Sequence, residues 1–196
     1  NKMDPCTGSM DESRLLKAIG VGDETAFGEI YRRYHRQVYN YLYSIIRESS
    51  GTDDVLQEVF IGIWKGAARF QNKSSPKTWI YRIAYKQAMS WFRKHHKDMN
   101  MEKIEEKVDL DDNPEETAIA TMQNHQVQKA LEQLAPKHRA VLELAFIQAM
   151  SYSEIAEILE CPIGTVKSRM SQALKSMNRQ LIVVGYATDD DKARSG

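Results

Sequence analysis

The sequence predicts an all-α protein of two small helical domains, and three observations carry that prediction. Apolar residues recur at helical spacing through nearly every segment, no run shows the strict alternation or the turn chemistry of strands, and the breaks carry caps and prolines placed as at helix ends. A chain of 196 residues with 42% hydrophobic content is long enough to bury ordinary cores in one or two domains. No apolar run approaches the ~20 residues that span a bilayer, and the N-terminus lacks the apolar core of a signal peptide, so a cytoplasmic location without membrane insertion is expected.

The opening NKMDPCTGS precedes a second methionine, Met10, and residues 1–10 read as a cloning remnant, Cys6 with them. A short helix follows from about Glu12 to Ile19, broken by Gly20 and Gly22. Asp23 then caps a long helix whose apolar face is Phe27, Ile30, Tyr31, Tyr34, Val38, Tyr41, Leu42 and Ile45. Ser49, Ser50, Gly51 and Thr52 make a turn. The next amphipathic helix buries Val55, Leu56, Val59, Phe60, Ile63, Trp64 and Ala67 and carries Asp53, Asp54, Gln57 and Glu58 on its opposite face.

Residues Arg69 to Thr78, RFQNKSSPKT, have loop composition. Trp79, Ile80, Ile83, Ala84, Trp91 and Phe92 mark a basic helix that ends near Lys97 and closes a first domain over 11–97. Residues 98–113 hold few large apolar side chains and read as a linker. Asn113 and Pro114 cap and open a helix reaching Leu134, and Pro136 opens another with Val141, Leu142, Ala145 and Phe146 inward. The second domain occupies 114–183, and residues 184–196, ending TDDDKARSG, are expected to be a disordered tail.

Within that second domain, YSEIAEILECPIGTVKSRMSQAL holds two short helical patterns around a tight break. Ser151 and Glu154 form an S-x-x-E capping box, after which Tyr152, Ile155, Ala156 and Leu159 share one face. Pro162 interrupts the run, and the period resumes from Ile163 with Val166, Met170, Ala173 and Leu174 inward. The other face of this second helix is short, polar and basic, as a helix in a major groove requires. A plain helical hairpin with a solvated face has the same pattern, so the segment by itself leaves both readings open.

The formal net charge of zero conceals two blocks. Lys65 to Lys97 contains nine lysines and arginines and no acid, whereas Asp98 to Glu116 contains nine acids against Lys103 and Lys107. A polyanion-binding surface therefore adjoins a solvated acidic segment. The five histidines, His35, His95, His96, His125 and His138, lack metal-ligand spacing, and no glycine-rich phosphate loop or nucleophile motif is present. Neither an enzyme nor a cofactor or metal is expected. Cys161 reads as a small buried hydrophobe.

In this order, DETAFGEIYRRYHRQVYNYL, DDVLQEVFIGIW, TWIYRIA and LAPKHRAVLELAFIQAMSYSEIAEILECPIGTVKSRMSQAL resemble the extracytoplasmic-function (ECF) sigma factors, initiation subunits of bacterial RNA polymerase. The resemblance spans about Asp23 to Leu174 and implies sigma regions 2 and 4 joined by the acidic linker. It implies core RNA polymerase as partner, through the β′ clamp helices and the β flap, with Asp53, Asp54, Gln57 and Glu58 facing the clamp. It also implies contact with promoter DNA in both single-stranded and duplex form.

For opening and holding the minus-ten element, the matching segment supplies Phe70, Lys77, Thr78, Trp79, Arg82, Lys86, Arg93 and Lys94, and also Tyr81, Tyr85 and Trp91 as aromatic faces. Phosphates call for cations and extruded bases for aromatic faces. Trp79 stands at helical spacing with Ile83, so core packing competes with stacking, and the loop Phe70 to Thr78 is the better pocket for a flipped base.

For the duplex minus-thirty-five element, Lys167, Ser168, Ser171 and Gln172 are placed for the groove, and Thr165, Arg169 and Lys175 for phosphates. Lys167 is matched to guanine and Gln172 to adenine. Three residues depart from the family pattern: Lys86 stands where asparagine is common, which leaves base choice open, Ser90 stands where an acidic or amide residue is usual, and Glu160 stands where the turn usually has glycine. The linker reads either as a segment threading polymerase channels or as a solubilising tether. A stand-alone regulator with a LuxR-like motif is the alternative, although it leaves the basic aromatic segment without a role. By resemblance, an anti-sigma factor, often membrane-bound, is the expected inhibitor, and it would hold the protein at the inner membrane. No small-molecule substrate is expected.

Overall fold

The computed structural model describes residues 11–95, 131 and 133–183, and every regular element among them is helical. The expected N-terminal remnant, the linker 98–113, nearly all of the helix from Asn113 to Leu134, and the tail 184–196 lie outside the described residues. The chain divides into two compact units, the first holding the helices up to Lys94 with Glu157–Glu160 assigned to it, and the second the remaining helical residues from Pro136 onward.

The first unit opens with α1 (Glu12–Gly20), and α2 (Glu24–Ile46) follows after two residues of turn and the cap residue Asp23. Asp23 Oδ1 accepts the Ala26 N–H at 3.0 Å, as its position predicts. Buried Tyr34 donates its phenol to Glu12 Oε2 at 2.7 Å and ties α1 to α2. Burial and the Glu12 carboxylate together push that phenol far above its ordinary pKa, so it stays a donor at any working pH.

The four residues expected as a turn before the third helix are instead its first turn. Helix α3 spans Ser49–Gly66, and the Thr52 N–H and hydroxyl both reach the Glu48 carbonyl, at 2.9 and 2.6 Å. Arg47, in the left-handed region at φ 63°, ends α2, so the connection is only two residues long. A 3-10 turn, Ala67–Arg69, leads into the loop, and α4 runs over Pro76–His95.

Helix α4 approaches α3 at three glycines on one stripe. A Cβ on Gly51 would lie 2.6 Å from Trp91 Cζ2, one on Gly62 3.0 Å from Ile83 Cγ2, and one on Gly66 3.1 Å from Trp79 Cζ2. Tertiary packing thus overrides the turn chemistry of SSGT, because a glycine in α3 is the only residue that leaves room for an indole. The core fills behind this seam with Ile30, Val38, Leu42, Ile45, Val59, Ile63, Ile80 and Tyr81. Tyr31 and Trp64, expected inside, are partly exposed at the edge, where their rings meet Phe60 and Phe27 respectively.

In the second unit, α5 (Pro136–Leu142) carries Pro136 at its first turn and runs into a π turn, Glu143–Ile147, closed by the Gln148 N–H on the Glu143 carbonyl at 3.0 Å. The wider turn advances the phase. Val141 and Leu142 are buried as expected, but Leu144 takes the next inward position and Phe146 turns out, 66% exposed. Helices α6 (Tyr152–Leu159) and α7 (Ile163–Val183) follow. Ile155, Ile158 and Leu159 of α6 and Val166, Met170 and Ala173 of α7 are buried, whereas Tyr152 and Leu174, read as inward, are exposed.

Gly51→Ala should destabilise the first unit by about 1–3 kcal/mol through overpacking against Trp91. An ordinary helix interior would gain about 1 kcal/mol from the same change, so urea unfolding decides by sign alone. In the second unit, burial pushes the Glu143 carboxyl up to about 7, with the Gln148 hydrogen bond opposing. A folded-state pKa above the unfolded one gives stability that is complete below about 4.5 and lost as pH rises through about 7. Glu143→Gln should therefore flatten the decline in melting temperature of this unit between roughly pH 5 and pH 8.

Candidate nucleic-acid interface

Three surfaces carry the residues singled out above. On α3, Asp53, Asp54, Gln57 and Glu58 are all exposed, opposite buried Val55, Leu56, Val59 and Phe60. Ile61 continues this exposed stripe one turn further and was missed, although its three- and four-residue spacing from Glu58 and Gln57 was legible. The surface is thus an acidic and amide stripe ending on an apolar residue, with the exposed edge of Trp64 one helical turn beyond.

The second surface is the loop after α3 together with the outer face of α4. Ser75 is the N-cap of α4: its Oγ accepts the Thr78 N–H at 3.0 Å, its carbonyl accepts the Trp79 N–H at 3.0 Å, and Pro76 takes the first helical position. This arrangement corrects two expected site residues. Thr78 is 1% exposed with its hydroxyl 2.8 Å from Ser75 Oγ, so it is part of the cap rather than of a DNA surface. Trp79 is 9% exposed over Gly66, so packing wins over stacking at this indole. Tyr81 and Trp91 are likewise core residues, against Tyr41 and Gly51.

Phe70 remains half-buried, its ring centroid 5.3 Å from that of Trp79, so Trp79 positions the ring that the loop presents. Gln71, Asn72 and Lys73 are exposed beside it, with Asn72 in the left-handed region at φ 54°. Along α4, Arg82, Lys86 and Arg93 fall on one stripe by helical period. Lys86, Arg93 and Lys94 are exposed, and Lys77 and Arg82 are half-buried.

The third surface is α7. Its position follows from how α6 ends and α7 begins. The Ser151 N–H donates to Glu154 Oε2 at 2.8 Å while Ser151 Oγ accepts the Glu154 N–H at 3.3 Å, the reciprocal capping box the sequence predicts. At the other end Glu160 sits at φ 49°, and the Cys161 N–H reaches back to the Ala156 carbonyl at 3.1 Å. That is a Schellman closure with glutamate in the glycine position, held left-handed at a cost of about 1 kcal/mol. The Pro162 carbonyl accepts the Thr165 and Val166 N–H groups and starts α7.

Lys167, Ser168, Ser171, Gln172 and Lys175 are exposed on α7, while Thr165 and Arg169 are half-buried. Ser168 Oγ donates to the Thr165 carbonyl at 3.0 Å, and Arg169 Nη1 lies 3.8 Å from the Sγ of half-buried Cys161, folded back over the turn. Gln172 Oε1 lies 3.1 Å from His138 Nε2. That contact was not legible, because the two residues are 34 positions apart and no local pattern joins them.

A unit with a basic loop-and-helix surface and a unit ending in a helix-turn-helix are the two parts that match sigma-70 families. Residues 30–97 match the family Sigma-70 region 2 and residues 124–177 the family Sigma-70, region 4, together more than half of the chain. Similar proteins include the ECF RNA polymerase sigma factor SigX of Bacillus subtilis (strain 168), 29% identical over 87% of this chain and 91% of that one. Another is the ECF RNA polymerase sigma factor SigK of Mycobacterium bovis (strain BCG / Pasteur 1173P2), 27% identical over 89% of this chain and 96% of that one. The fold resembles CnrH, solved in complex with the cytosolic domain of CnrY, at TM-score 0.64 and 22% identity, covering 88% of this chain and 99% of that one. It also resembles the sigma factor RpoE of Bartonella quintana, solved with the anti-sigma factor NepR, at TM-score 0.64 and 23% identity, covering 80% and 97%. The chain belongs to the ECF sigma factors. Sigma factors are non-enzymatic initiation factors. Among the described residues no helix is long and apolar enough to cross a membrane.

Ser75→Ala removes the cap of α4 and the partner of a buried hydroxyl. It should lower the stability of the first unit by about 1 kcal/mol, and Thr78→Val, which removes the hydroxyl while keeping the side-chain shape, should recover part of that loss in the Ser75→Ala background when both are measured by urea unfolding.

Proposed function

We propose that this protein binds core RNA polymerase and directs it to a two-part promoter, acting as an alternative sigma factor without catalysis of its own. The observation that carries this reading is the presence on one chain of both matched regions, each with a cationic outer face, in the order region 2 then region 4. A duplex-binding regulator needs only the second. The acidic stripe Asp53, Asp54, Gln57, Glu58 faces the β′ clamp helices. Phe70 with Lys77, Arg82, Lys86, Arg93 and Lys94 opens and holds the minus-ten element, with the exposed face of Phe70 available to a flipped base. Lysine at 86 supplies donors only, so base choice there differs from that of an asparagine. Helix α7 reads the minus-thirty-five element through Lys167, Ser168, Ser171 and Gln172, with Thr165, Arg169 and Lys175 on the phosphates.

The protein works in the cytoplasm and is held inactive by an anti-sigma factor, which tethers it to the inner membrane. Support for that control comes from the family and from the two solved relatives, one of them bound to a named anti-sigma factor. A run-off assay with core enzyme on genomic promoters tests the whole reading: transcripts that depend on this chain are expected. Absence of transcripts together with tight binding of free protein to palindromic duplex would turn it into a regulator. Lys86→Ala should slow open-complex formation, while Lys167→Ala should weaken duplex recognition by about tenfold, in line with 1–3 kcal/mol per base contact. Equal loss in both assays for both variants would refute the division of labour.

A further inference from the structure

We propose that His138 is a positioning residue that holds the Gln172 amide by its oxygen, so that Gln172 offers the groove donors only and selects the paired acceptors of guanine, N7 and O6, over adenine, whose N7 stands beside the N6–H donor. The inference rests on the reading that α7 lies in the minus-thirty-five groove.

The geometry is specific to these two side chains. His138 lies in the first turn of α5, its N–H on the Ala135 carbonyl at 2.8 Å, and it is 8% exposed, so the imidazole is fixed by packing. Its Nε2 is 3.1 Å from Oε1 of Gln172, which is itself exposed on α7. An amide oxygen can only accept, so Nε2 carries the hydrogen, in the neutral ring as in the charged one. The amide nitrogen, on the opposite branch of the same planar group, then points away from the ring with two hydrogens to give.

An amide recognises adenine by accepting from N6–H while donating to N7. Here the accepting atom is committed to the His138 ring on α5, and swinging it to a base would break that contact. The donors need no such rearrangement. The match of Gln172 to adenine that residue type alone implies is therefore reversed by its neighbour.

The test uses core polymerase with the full chain, transcribing a promoter library randomised across the minus-thirty-five element, with sequenced transcripts as readout. The wild type should favour guanine over adenine by about fivefold or more at one position, the worth of about one hydrogen bond. Gln172→Ala should flatten that position alone. Gln172→Lys, an exposed donor-only substitution that leaves the buried histidine intact, should retain the preference. His138→Gln, which can restore an N–H near the same place, should retain it too, whereas His138→Phe should shift it towards adenine.

Adenine preference in the wild type, lost in Gln172→Lys, overturns the proposal while leaving the groove reading of α7 intact. An unchanged preference in a folded His138→Phe variant also overturns it. If Gln172→Ala alters no position while Lys167→Ala does, Gln172 is not a base reader and the proposal falls alone. If no library member is transcribed, the sigma-factor reading falls with it.

Discussion

The outward faces of α3 and α4 depend on the side chains that α4 seats over Gly51, Gly62 and Gly66. Each glycine receives a side chain from α4, two of them indoles; a Cβ at Gly51 would force something to shift, and one at Gly62 or Gly66 would be tight. The seam fixes the rotation of both helices at once, and rotation decides what faces outward. With Trp79 and Trp91 inserted, Lys86 and Arg93 stay outside; with the inner residues of α3 fixed, Asp53, Asp54, Gln57 and Glu58 stay outside as well. The acidic and basic surfaces are the two outer sides of one apolar joint.

The same seam shows where the sequence was legible and where it was not. Helical period and caps located α1, α2, α6 and α7, because Asp23 and the Ser151–Glu154 box act on backbone groups within three residues. The start of α3 was not legible, since SSGT has turn chemistry and the Trp91 indole that packs over Gly51 lies 40 residues away. Phe146 was misplaced for a related reason. A single π turn shifts phase without any marker such as proline or glycine.

The candidate sites divide along the same line. Exposed charged residues were read from pattern with few errors, because solvating a charge is a local preference. Aromatics were misassigned more often: Trp79, Tyr81 and Trp91 have the residue type that stacks on bases and also the type that fills cores, and only packing separates the two. Gln172 is a subtler case, in which exposure was legible but the contact with His138, from another helix, was not. A promoter reader built this way spreads its selectivity over modest contacts. Each surface needs little affinity alone, because attachment to one chain and one polymerase raises the local concentration of the other.

The π turn after α5 places Phe146 and Ile147 outward, 66% and 67% exposed, on a loop of backbone that belongs to neither flanking face. A π turn is how a helix absorbs one residue more than its period allows. The apolar pair is therefore a separable character of the fold. Its outward direction is set by the turn and not by the pattern of apolar residues on either side.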